Sequence, residues 1–66
     1  MRLTVNGEPR EAADGETVAT LLARLALDTS RVAVELNGRL ARRADHAGQG
    51  LREGDRLEIV RFVGGG

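Results

Sequence analysis

Two Asn-Gly dipeptides, Asn6-Gly7 and Asn37-Gly38, each end an alternating run of apolar and polar residues. Asn-Gly is the pair best suited to a two-residue type I′ hairpin turn, because both positions need positive φ. Before the first, Leu3 and Val5 alternate with Arg2, Thr4 and Asn6, the period-2 pattern of a half-buried strand. Glu8 to Ala12 is the expected return strand. Pro9 cannot donate a ladder hydrogen bond, which places that strand on the sheet edge. Before the second turn, Val32, Val34 and Leu36 alternate with Ala33 and Glu35, and the chain then returns through Arg39 to Arg42. The chain is committed to two hairpins.

Between the hairpins the period changes. Val18, Leu21, Leu22 and Leu25 fall at i, i+3, i+4 and i+7, one apolar stripe of a helix over about Val18 to Ala26. Thr17 is the natural N-cap, and Asp14 and Glu16 put negative charge near the positive end of the helix dipole. Leu27 is expected to close the helix against the core. The stretch from Arg43 to Gly50 has no period and reads as an irregular loop or a single helical turn. Leu51 anchors the turn Arg52-Glu53-Gly54-Asp55, and a last strand runs from Arg56 to about Val63 before Gly64-Gly65-Gly66.

The order strand, strand, helix, strand, strand, strand specifies an α+β layer fold. The first and last strands pair in parallel at the centre with a hairpin on each side. The result is a mixed five-stranded sheet, or a four-stranded one with a short fifth strand, and one main helix packs across one face. Leu3, Val5, Val32, Val34, Leu36, Leu57 and Ile59 are expected to face the helical stripe. Residues 1–63 are expected to form a single domain, and residues 64–66 a flexible C-terminal tail.

Size and composition then remove most functions. A 66-residue chain buries about 60% of the surface its unfolded form exposes, and nine of its hydrophobic residues are alanine. That seals one core and leaves no deep substrate cavity, so no catalytic residue is assigned. Ten Arg balance ten Asp and Glu, there is one aromatic, and no basic stripe marks a nucleic-acid partner. The absence of cysteine and the presence of one histidine leave no metal site. His46, beside Asp45, is expected to be a solvated loop residue, and Arg42-Arg43 an ordinary solvated pair. With no apolar run long enough to span a membrane and no signal-peptide core, a cytosolic protein, monomeric when free, is expected.

The glycine end resists a structural explanation, since glycine buries no side chain and costs the most entropy to order. A tail without side chains can thread a narrow channel into another protein's active site. A terminal carboxylate, with a reference pKa of about 3.5, is ionised at neutral pH and able to attack the α-phosphate of ATP. On the last strand, Leu57 and Ile59 take the covered face, so Glu58, Val60 and Phe62 take the open one. Val60 and Phe62 are therefore candidates for a partner-docking patch just ahead of the tail. The alternative is a strand that kinks after Ile59 and folds Phe62 into the edge of the core.

Taken together, Val5-Asn6-Gly7, Gly15-Glu16-Thr17-Val18 before a leucine-rich helix, Val34-Glu35-Leu36-Asn37-Gly38, Leu51-Arg52-Glu53-Gly54-Asp55 and the glycine end resemble the ThiS sulfur-carrier family over the whole chain. The family commonly ends in two glycines after a larger residue, whereas position 64 here is also glycine. The resemblance implies a ubiquitin-like β-grasp fold. It implies that a partner enzyme of the ubiquitin-activating type adenylates the Gly66 carboxylate with ATP and magnesium, while Gly64 and Gly65 thread into that partner and the chain itself binds no cofactor. It further implies a persulfide relay that converts Gly66 to a thiocarboxylate, and a thiazole synthase that takes the sulfur for thiamin. Alternatives are a sister carrier serving molybdopterin synthase, tRNA thiolation or cysteine synthesis, a β-grasp interaction module without sulfur chemistry, and a modifier forming isopeptide bonds. The chain contains no lysine, so an activated Gly66 would meet no ε-amine on another copy.

Overall fold

The computed structural model describes residues 1–62. Strands β1 (Arg2–Val5) and β2 (Glu8–Glu11) pair antiparallel across Asn6-Gly7, and β3 (Val32–Leu36) and β4 (Arg39–Ala41) across Asn37-Gly38. Asn6 and Asn37 have φ of 51° and 53°, as the two-residue turn demands. Strand β5 (Arg56–Arg61) lies between the hairpins, parallel to β1 and antiparallel to β3, in the order β2-β1-β5-β3-β4. The mixed five-stranded sheet is as expected, and Pro9 sits on an edge strand. Asn37 also ties its turn to the start of β5. Its Nδ2 donates to Asp55 Oδ1 at 3.0 Å, and its Oδ1 accepts from Arg56 N at 2.9 Å.

Helix α1 (Val18–Arg24) opens on Thr17, whose Oγ1 accepts from Thr20 N at 3.1 Å while Thr20 Oγ1 accepts from Thr17 N at 2.8 Å. This reciprocal cap satisfies two donors near the helix start. The next donors are met from far along the chain: Val18 N donates to Gln49 O at 3.0 Å, and Ala19 N to His46 O at 3.1 Å. The helix stops two residues short of the expected Ala26, because Ala26 turns left-handed at φ 59°. Ala26 N donates to Ala23 O at 3.0 Å and Leu27 N to Leu22 O at 2.9 Å, a Schellman ending with alanine where glycine is usual. Leu27 packs against the core, as expected.

Leu3, Val18, Leu21, Leu22, Val34 and Leu57 are fully enclosed between sheet and helix. Burying each of these side chains stabilises the fold by roughly 1.5–3 kcal/mol. Leu25 and Leu36, expected in this layer, lie half-buried at its margin, and Ala12 and Leu51 complete it.

Two further expectations need correction. Strand β5 ends at Arg61, and Val63 lies outside the described residues. His46 is 3% exposed and not solvated. Its Nε2 donates to Ala41 O at 2.9 Å, which leaves Nδ1 to accept from Thr29 Oγ1 at 2.6 Å. The polar ring can be enclosed because both nitrogens are satisfied. Glu16 sits just ahead of the helix start, as expected, and is 7% exposed: one oxygen accepts from Ala13 N at 3.2 Å, and the other lies 3.5 Å from Arg24 Nε.

Candidate functional site

Alternation along β5 divides its residues between two faces: Leu57 and Ile59 are buried, while Arg56, Glu58 and Val60 are exposed. Val60 is 59% and Phe62 60% exposed, so Phe62 is not folded into the core. The ladder still holds the backbone here, since Phe62 N donates to Arg31 O at 3.0 Å. Two large apolar side chains thus stand in solvent where the strand leaves the sheet. Gly64, Gly65 and Gly66, the expected threading and reacting residues, lie outside the described residues.

Sequence reasoning missed a third member, Leu40, which is 67% exposed. The register places it. Leu40 opposes Glu35 across β3 and β4, Glu35 opposes Glu58 across β3 and β5, and the next row on the same face pairs Ala33 with Val60. The signal was present in the second Asn-Gly turn. A two-residue hairpin pairs Leu36 with Arg39 and hence Glu35 with Leu40.

On the helix-covered side, two shallow grooves meet at Arg61. One, of about 330 Å³, runs between the first hairpin and the helix end, past Arg10, Leu25 and Leu27. The other, of about 270 Å³, lies between Asp28, Arg31 and Phe62. Asp28 is held below the usual carboxylate range, chiefly by the hydrogen bond from the Ser30 hydroxyl and then by the one from Ser30 N, with Arg31 and Arg43 adding attraction. Among the described residues, no three of His, Cys, Asp and Glu gather as metal ligands, and no helix is long and apolar enough to cross a membrane. The end of β5 thus carries two exposed apolar side chains beside two shallow grooves.

Residues 3–66 match the model of the ThiS family. Two curated proteins named thiazole synthase, from Paramagnetospirillum magneticum and Magnetococcus marinus, are 42% and 39% identical over all 66 residues. The chain spans only 20% of the length of each. An uncharacterized protein ycf40 of Pyropia yezoensis is 36% identical over 64 residues, 97% of this chain and 90% of its own. Among solved structures, the crystal structure of thiamine biosynthesis protein ThiS from Geobacter metallireducens superposes with a TM-score of 0.85 at 38% identity, covering both chains fully. A solution structure of a thiamine biosynthesis protein from the same organism gives 0.82, covering all of this chain and 88% of that one. A sheet built around a parallel β1–β5 pair, one capped helix across it and a family match over nearly every residue lead to one assignment: the chain is a β-grasp protein of the ThiS family.

Proposed function

We propose that this chain is a sulfur carrier for thiazole formation in thiamin biosynthesis, a substrate of its partner enzymes and not itself a catalyst. The observation that carries the reading is the ThiS-family match over residues 3–66. The two thiazole synthases that contain a related stretch support the link to thiazole synthesis.

In this reading residues 64–66 are the working tail. A partner of the ubiquitin-activating type binds ATP and magnesium. The Gly66 carboxylate oxygen attacks the α-phosphate, pyrophosphate leaves, and an acyl adenylate forms. The terminal sulfur of a persulfide then attacks the acyl carbon and expels AMP, and a second thiol cleaves the sulfur–sulfur bond to release the thiocarboxylate. A thiazole synthase receives the sulfur. Gly64 and Gly65 present no side chain to a narrow channel, while Val60 and Phe62 dock the domain at its mouth. The carrier works in the cytoplasm and is monomeric between partners.

The test is intact mass after incubation with ATP, magnesium, an adenylating enzyme and a persulfide donor. The wild-type chain ending at Gly66 gains the mass of one oxygen-to-sulfur exchange. A variant with alanine appended after Gly66 gains nothing and melts at an unchanged temperature. Equal conversion of the extended variant would rule the reading out.

A further inference from the structure

We propose that Glu35 and Glu58 together receive an arginine side chain of the adenylating partner, with Leu40 and Val60 packing against its surroundings. The identity of the partner rests on the sulfur-carrier reading; the character of the face does not.

The two glutamates are direct cross-strand partners in the antiparallel β3–β5 ladder, and both are exposed. Side chains so opposed stand with Cβ atoms about 4.5–5.5 Å apart, and like charges there destabilise a sheet. Among the described residues, neither carboxylate has a cation at ion-pair distance. Arg56, two residues before Glu58 on the same face, pairs with neither. The first hairpin shows the favourable alternative: Arg2 opposes Glu11, with Nε 3.7 Å from Oε1. Charges on edge strands guard against pairing with other sheets, but β3 and β5 have strands on both sides, so that explanation does not apply. The domain therefore presents two facing carboxylates, without an ion-pair partner among the described residues, that one added cation could bridge.

The surroundings select the cation. Leu40 stands beside Glu35, and Val60 is the next residue after Glu58 on this face, both well exposed. Ala33 opposite Val60 keeps the face low between them. A guanidinium has five donors in a planar fork, enough to serve two carboxylates, and a weakly hydrated flat face that rests on apolar neighbours. A lysine ammonium is a compact, strongly hydrated charge that fits this setting less well. A second copy approaching face to face would bring two more carboxylates, and anionic nucleic acid or lipid would be repelled. A protein surface presenting arginine amid apolar side chains is the occupant this chemistry accepts.

The experiment compares wild type, Glu35→Gln/Glu58→Gln and, as a control on the edge strand, Glu8→Gln. Binding to the adenylating enzyme is measured without ATP at low and high salt, and ATP–pyrophosphate exchange is measured separately. The double variant should bind about tenfold or more weakly, with less salt dependence, while kcat for exchange stays level and KM rises. Isolated, it should melt no lower than wild type, because a repulsion has been removed. Binding within about twofold of wild type, or an equal loss in Glu8→Gln, overturns the proposal. If the double variant alone loses binding but wild type supports no exchange, the docking pair stands and the sulfur-carrier reading falls. If wild type does not bind, the docking pair falls.

Discussion

The side-chain amide of Asn6 meets the backbone of Ile59 as another peptide group would. Asn6 Nδ2 donates to Ile59 O at 3.2 Å, and Ile59 N donates to Asn6 Oδ1 at 2.7 Å. The parallel β1–β5 pairing is thereby carried past Val5, where the chain has already begun to turn. Asn6→Asp keeps the acceptor and the tolerance for positive φ, but sets a carboxylate oxygen against a carbonyl. It should cost about 1–3 kcal/mol. Urea denaturation checks this, and an unchanged midpoint would mean that the pair contributes nothing.

Ala26 holds a left-handed conformation that glycine adopts without steric cost. Ala26→Gly should stabilise the domain by about 1 kcal/mol, raising Tm by roughly 4–8 °C. Calorimetry decides, and a fall in Tm would show that unfolded-chain entropy outweighs the relieved strain.

His46 joins the segment after β4 to the rest of the fold through Ala41, Thr29 and the helix start. His46→Ala removes a buried ring and leaves the Ala41 carbonyl and Thr29 hydroxyl without these partners. A loss of about 2–3 kcal/mol is expected in denaturant unfolding. Amide exchange near Ala19 should speed up more than exchange in β1.

Asp28 contributes to the pH dependence of stability. Its folded carboxyl titrates below the usual range, so it contributes stability above its unfolded pKa and loses it as pH falls through the folded value. Ser30→Ala removes the strongest cause, the Ser30 hydroxyl. Carboxyl NMR should then find Asp28 titrating closer to an ordinary aspartate, with a smaller loss of stability in acid. An unmoved titration would refute the assignment to Ser30.

Phe62→Ser tests the patch ahead of the tail. With Phe62 mostly in solvent, stability should change by no more than about 0.5 kcal/mol, while adenylation and sulfur transfer slow. A variant that melts far lower yet transfers normally when folded would remove Phe62 from docking.

What could be read in advance follows from how locally each feature is encoded. The hairpins, the Thr17 cap and the edge position of Pro9 rest on neighbours within a few residues, and all appear as expected. The helix end was misplaced because alanine carries no sign that Ala26 would turn left-handed. His46 looks solvated among polar neighbours, and its burial depends on Thr29 and Ala41, which the sequence pattern does not bring to it. On the open face of the sheet, alternation alone exposed Val60, whereas Leu40 and the facing glutamates required the register of three strands.

The place of β5 between β1 and β3 also sets an order of events during synthesis. The two hairpins share no strand pairing with each other; each pairs with β5, which emerges from the ribosome after both. Until Arg56–Arg61 is available the sheet has no centre, and its closing contacts span almost the whole chain. Whatever follows Arg61 is therefore presented on a finished domain only after the strand that completes the sheet has docked. An interrupted polypeptide lacking Arg56–Arg61 would be left with two unjoined hairpins, so translation itself screens which molecules complete the sheet.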